Sequence, residues 1–374
     1  MKPLTRFIVL VTLLAALAAC KPTPTPPPTL PPTLPPTFTA APPPTETPFP
    51  PTAAPTLEPT ATTAPSFSGS TALTTANIAE AVQLASLDLP FASKIYWSND
   101  ALKLGISLEN SFEQFAASDL SLLTTLPQRV MDISPDGTLA AVSPDSATLE
   151  IWDLQAGSVL LSKALDFQFG GASFSADGSR VMLPSMEEWA GVMLSTVDGS
   201  LLGEVTGFST AAPVYNVSYG PDGTQAVWVS RATLQISDLA TGTLGPQFNH
   251  MDFINSWALA PQRNLLVTAT YGEVAGTYQP VIYLWDTQTG DNNIKLTPGE
   301  IINGLALDPS GYLLAAGAPA GVLIYDLADA SQIITLPLPG AETVTDVAFS
   351  PDGKTLAVLA PTAAGTTLTL WGIP

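Results

Sequence analysis

A chain of 374 residues with one histidine and one cysteine has few routes to covalent chemistry. His250 lies in the stretch Gln247-Phe248-Asn249-His250-Met251-Asp252, which reads as a loop, and a lone loop histidine is expected to be solvated surface. Ser-His-Asp or Cys-His catalysis needs a base beside a nucleophile, and no Gly-x-Ser-x-Gly elbow is present. Zinc, haem and copper centres need clustered His or Cys, which the sequence lacks. Asp291-Asn292-Asn293 is too short to supply the alternating oxygen ligands of a calcium loop and reads as a turn. Neither a metal nor a cofactor is expected, and the protein reads as a non-enzyme. Carboxylates are the remaining reagents, since 32 Asp and Glu make spatial pairs inevitable. Many of them, such as Asp136, Asp222 and Asp352, recur in one turn signature, where a local structural role suffices. A carbohydrate-active enzyme or glycan binder using surface carboxylates is the alternative reading.

The elements that must position any site are written as a repeat. Six turns recur as Ser134-Pro135-Asp136-Gly137, Ser175-Ala176-Asp177-Gly178, Gly220-Pro221-Asp222-Gly223, Ala260-Pro261-Gln262-Arg263, Asp308-Pro309-Ser310-Gly311 and Ser350-Pro351-Asp352-Gly353. Their spacings are 41, 45, 40, 48 and 42 residues. Proline fixes φ, aspartate bonds back to nearby backbone and glycine accepts positive φ, so each predicts a tight reversal between two strands. Alternating apolar strands follow, ending as Ile151-Trp152-Asp153, Leu194-Ser195-Thr196, Ile236-Ser237-Asp238, Leu284-Trp285-Asp286, Ile324-Tyr325-Asp326 and Leu370-Trp371-Gly372. A repeat of this length is one supersecondary unit that buries its faces only by stacking on its neighbours.

The N-terminus is organised differently. Lys2 and Arg6 precede an apolar run from Phe7 to Ala19, followed by Cys20, the layout of an export signal. Thirteen apolar residues are too few to cross a bilayer, which needs about 20. Proline and threonine dominate from Lys21 to Pro65, where only Lys21, Glu46 and Glu58 are charged; such a stretch is expected to stay extended and unfolded, reaching on the order of 100 Å. Residues 1–19 therefore read as a signal peptide, 20–66 as Cys20 with a disordered stalk, and 67–374 as the folded domain. From Ser66 onward nine Lys and Arg face 30 Asp and Glu, a formal charge of −21. That balance repels phosphates and argues against a nucleic-acid partner.

The turns, the period and the Trp-Asp strand ends together resemble WD40 propellers over 92–374. The resemblance implies an all-β, seven-bladed β-propeller, with a degenerate first copy in Ile95-Tyr96-Trp97-Ser98-Asn99-Asp100, the strand from Leu102 to Leu108, and the segment from Ser111 to Ala117. The last repeat ends one strand short, so the segment from Ala81 to Asp88 is expected to complete it, preceded by a helical turn over Asn77 to Ala81. Standard WD40 repeats also carry a Gly-His pair in a buried network with Ser/Thr, Asp and Trp. That pair is missing here, so the network is not expected. Leu17-Ala18-Ala19-Cys20 resembles the lipobox of bacterial lipoproteins, which implies an acylated Cys20 anchoring the protein to a membrane in the cell envelope. WD40 propellers mostly bind proteins or peptides on the face where inner strands begin. Aligned on the turns, Ser93, Arg129, Gly170, Tyr215, Asn255, Asn303 and Thr345 are expected to ring the channel mouth. Arg129, Tyr215, Asn255 and Asn303, with Trp189 and Tyr271 from irregular loops, are the candidate partner-binding residues of a monomeric, non-enzymatic scaffold.

Overall fold

The computed structural model describes residues 67–187, 190–208, 212–220, 223–292 and 294–374. The lipobox, Cys20, the stalk and Trp189 lie outside the described residues. Within them, 28 strands form seven antiparallel sheets of four strands each. Blades 1 to 6 span 92–126, 130–164, 173–205, 216–249, 256–296 and 304–336, with strands paired in sequence order from the channel outward. Blade 7 takes its three inner strands from 346–372 and its outer strand from Val82–Leu89. This is the all-β, seven-bladed propeller that the repeat implies.

Turn chemistry explains why the repeat folds this way. In blade 2 the Ser134 hydroxyl donates to Asp136 (2.6 Å), Asp136 accepts the Thr138 amide (3.0 Å), and Gly137 sits at φ +66°. Ser175 and Asp177, and Ser350 and Asp352, repeat the hydroxyl–carboxylate bond at 2.6 Å. The degenerate first copy keeps the same device: Ser98 donates to Asp100 at 2.5 Å, but Ala101 takes the glycine position at φ +59°. Blade 5 departs from the pattern. Pro261–Arg263 forms a single 3-10 turn and Asn264, at φ +50°, takes the left-handed position one residue later. At the far end of the third strands, aspartates reverse the backbone again. Asp153 accepts the amides of Gln155 and Ala156, both at 2.8 Å, and Asp286 accepts those of Gln288 and Thr289. These bonds are the physical content of the Trp-Asp ending.

Apolar residues of adjacent blades form the cores. One cluster joins Ile95, Leu104 and Ile106 of blade 1 to Leu359, Leu368 and Leu370 of blade 7. Another joins blades 6 and 7 and takes in Leu73 and Ile78 from ahead of the first strand. The ring closes through Val82–Leu89, which pairs antiparallel with Gly365–Gly372, interrupted by a bulge at Leu84. A 3-10 turn at Ile78–Glu80 precedes it, and Ser70 and Leu73 donate their amides to Ile373 and Gly353. The expected outer strand is thus present, shifted by one residue from Ala81–Asp88 to Val82–Leu89 and reinforced by the segment before it.

One expectation fails. His250 is not solvated surface: it lies between blades 4 and 5, with Nε2 2.8 Å from Thr268 Oγ1 and Nδ1 3.3 Å from the Ala232 carbonyl. The buried Trp285 indole donates to the same Thr268 oxygen at 2.9 Å. The arrangement that uses every donor runs from the Trp285 N–H to Oγ1, from the Thr268 hydroxyl to Nε2, and from Nδ1–H to Ala232. Burial pushes the imidazole down to about 4, against the favourable bonds to the Ala232 and Phe248 carbonyls, which fits a neutral ring. The His–Thr–Trp part of the WD40 network therefore exists in blade 5. Asn249, not glycine, precedes the histidine, so the sequence carries no Gly-His pair to mark it.

Candidate functional site: the channel mouth

Where the inner strands begin, their aligned residues converge. Ser93, Tyr215, Asn255, Asn303 and Thr345 line a cavity of about 480 Å³ at the mouth of the channel. Arg129 and Gly170, with Ser93 again, line a neighbouring cavity of about 350 Å³. Every position obtained by aligning the turns thus opens on one or other cavity. Arg129, Tyr215, Asn255 and Asn303 are all exposed. Asn303 donates to the Thr343 hydroxyl at 3.1 Å, which fixes its amide between blades 6 and 7. Tyr271 lies apart from both cavities. It belongs to the long hairpin of Leu265–Val274 and Thr277–Asp286, stacked on Tyr278 at 5.5 Å and 23°. The Tyr278 hydroxyl donates to Asp252, and Arg231 lies 4.2 Å over the Phe253 ring in the same loop. Tyr278 and Phe253 are 55% and 50% exposed, so the hairpin and the 250–255 loop present aromatic surface to solvent.

The turn alignment did not single out the charged residues just inside the mouth, namely Lys94, Asp132 and Asp346. Their signal was a charge within inner strands whose other residues are small or apolar. Asp346 accepts the Ile95 amide at 2.8 Å across the boundary of blades 7 and 1, and Asp132 accepts the Phe174 amide at 2.8 Å across that of blades 2 and 3. Hydroxyls do the same elsewhere: Ser256 accepts the Leu305 amide at 2.9 Å and Ser173 the Tyr219 amide at 3.0 Å. An inner strand has no further strand on its channel side, so its free amides need partners, and these side chains supply them. Burial raises Asp346 to about 6 and raises Asp132, opposed in both by backbone amides and by Lys94. Lys94 is itself raised, by the Tyr96 phenol above all and by both carboxylates, against burial and Arg129. The two carboxylates stand where hydroxyls serve at other boundaries, so blade coupling accounts for them without a reaction.

Among the described residues no three His, Cys, Asp or Glu are grouped to hold a metal ion. The mouth offers a concave, mostly polar ring with exposed Tyr and Arg, residue types that commonly anchor protein partners.

Residues 331–371, the outer strand of blade 6 and the inner strands of blade 7, match the family described as WD domain, G-beta repeat. Cross-pathway control WD-repeat protein 2 of Flammulina velutipes is 28% identical over 118 residues, 29% of this chain and 35% of that protein. Small ribosomal subunit protein RACK1 of Medicago sativa is 29% identical over 106 residues, 28% of this chain and 30% of that protein. Echinoderm microtubule-associated protein-like 2 of Rattus norvegicus is 25% identical over 167 residues, 45% of this chain and 25% of that protein. The matched region thus spans about a third or less of the length of these relatives. The protein is thus a seven-bladed β-propeller whose closing repeat matches the WD40 family.

Proposed function

We propose that this protein is an extracytoplasmic lipoprotein, tethered through acylated Cys20 and the Pro/Thr-rich stalk, whose propeller binds a protein or peptide partner at the channel mouth without catalysing a reaction. The observation that carries the binding half of this reading is the convergence of Arg129, Tyr215, Asn255 and Asn303 on adjoining cavities at one end of the channel. The polar centre supplies directional hydrogen bonds and the aromatic rim at Phe253 and Tyr278 supplies apolar area, the division found in protein interfaces. The tethering half rests on Leu17-Ala18-Ala19-Cys20, the single cysteine and the short apolar run before it.

Photo-crosslinking groups placed at Tyr215 and Asn303 of the intact protein in its own cell envelope test the binding half. One recurrent adduct is expected from both positions, none from Leu160 on the outer strand of blade 2, and loss of the adduct when Arg129 and Asn255 are replaced by alanine together. Equal labelling from Leu160 would move the interface to the outer rim. For the tether, mass spectrometry of the mature protein is expected to find acylated Cys20 as the first residue, and retention of Met1 would overturn it. Turnover of a glycan, abolished by one Asp or Glu substitution, would replace the scaffold reading with an enzymatic one.

A further inference from the structure

The smaller mouth cavity differs in chemistry from its neighbour. It is bounded by blades 1 to 4, and its walls include Lys94, Arg129, Ser107, Ser143, the Gly170–Gly171 backbone and Asn216. No Asp or Glu lines it. In a domain with 30 acidic and nine basic residues, a cavity walled by two cations and no acid runs against the composition. Neither cation is spent elsewhere in an ion pair: among the described residues the ion pair within 4 Å is that of Lys354 with Asp352. The Ser107 side chain is 1% exposed and its Oγ has no hydrogen-bond partner, and the buried Ser143 Oγ is likewise unpartnered. Both hydroxyl oxygens are shut off from solvent, so the polar groups that the cavity offers an external acceptor are the two cations. The glycines on its wall let the chain at the start of blade 4 approach closely. A Cβ at Gly170 would come 2.6 Å from the Tyr215 carbonyl, and one at Gly171 would come 2.5 Å from Asn216 Oδ1.

We infer that this cavity takes a carboxylate carried by the bound partner, either an Asp or Glu side chain or the terminal carboxylate of a peptide. The inference rests on the reading of the mouth as the partner-binding face. Arg129 presents a planar fork suited to bidentate pairing with a carboxylate, and Lys94 a point charge. The charge balance selects a monoanion over a phosphate dianion. Asp132 and Asp346 in the adjoining cavity already interact with Lys94 without pairing with it inside 4 Å, and the −21 domain penalises each further negative charge.

The test is calorimetric titration of the intact protein at low salt with acetyl-Gly-Glu-Gly-amide, its glutamine twin and sodium phosphate. The glutamate peptide is expected to bind at least about tenfold more tightly than its twin, a preference that fades as salt is raised. Arg129→Gln is expected to weaken it about tenfold, with the glutamine peptide unaffected. Arg129 is exposed, so its replacement leaves the packing of the blades intact and keeps the test independent of folding. Equal affinities for the two peptides, binding of neither, or tighter binding of phosphate would each overturn the assignment. Crosslinking from Tyr215 and Asn303 reports separately on the mouth itself: an adduct that survives Arg129→Gln while the peptides fail to discriminate leaves the interface standing and removes only the carboxylate.

Discussion

Asp346 illustrates how a single side chain here serves architecture in a place where chemistry would also be credible. It sits in a concave mouth with a raised pKa, the profile of a general acid or base. Its oxygen nevertheless accepts the Ile95 amide across a blade boundary, as Ser256 accepts that of Leu305. Asp346→Ala is therefore expected to lower stability by about 1–3 kcal/mol, the cost of a buried amide left without a partner. Asp346→Ser should recover most of that loss. Because burial holds the carboxyl up to about 6, above its unfolded value, the native state retains the proton longer, so this group's contribution falls as pH rises from about 4 to 6. The serine variant should then compare best with the parent at neutral pH, as read by urea unfolding. If serine were as damaging as alanine, the hydroxyl equivalence would fail. A second residue-scale expectation concerns Ala101, held at φ +59° where every other copy but that of blade 5 has glycine. Ala101→Gly should raise stability by about 0.5–1 kcal/mol in the same assay, since the left-handed strain it removes exceeds the entropy that glycine costs.

At the scale of one element, the series of bonds through His250, Thr268 and Trp285 ties the third strand of blade 5 to its second and to the loop from blade 4. The ring is held neutral, with its pKa pushed down to about 4, whereas in the unfolded state it would titrate near 6.5. Between those values the unfolded state binds more protons, so this stabilisation is complete above about pH 6.5 and is lost as pH falls toward 4, amounting to at most about 3 kcal/mol. His250→Gln removes the titration. Denaturant unfolding of the two proteins should differ most at pH 7 and converge as pH approaches 4. A difference constant from pH 7 to 4 would mean that the imidazole is solvated after all.

For the whole molecule, closure is the decisive step, because a propeller ring has no free edge only when its last blade is complete. Val82–Leu89 fills that place, and Ser70, Leu73 and Ile78 extend the clasp along blade 7. A protein beginning at Phe91 is expected to melt more than about 10 °C below one beginning at Ser66, and to aggregate through the exposed edge of Gly365–Gly372. A proline inside the continuous register, at Leu87 opposite Leu368, should reproduce part of that loss by constraining the strand. At Leu84 it would fall on the bulge and cost less. Equal melting temperatures for the two lengths, read by calorimetry, would show that the ring does not depend on this strand.

Local rules determined the repeat. Ser-Pro-Asp-Gly turns, alternating strands and aspartate-capped reversals act over a few residues, so their spacing marked six blades, and the resemblance to WD40 propellers supplied the seventh, the closing strand and the positions facing the channel mouth. The tertiary structure decided whatever depends on atoms distant in sequence. His250 looked solvated because its partners lie 18 residues away, at Ala232 and at Thr268, on strands that meet only after blades 4 and 5 dock. The mouth carboxylates escaped the turn alignment because the amides they accept belong to neighbouring blades, 251 positions away for Asp346 and 42 for Asp132. Tyr271, singled out with the mouth residues, proved to stack on its own hairpin, because a strand register and not a loop places it beside Tyr278. The cavity exists only where blades 1 to 4 converge: Lys94 and Ser107 face each other in one hairpin, but Arg129, Gly170 and Asn216 reach them only after neighbouring blades dock.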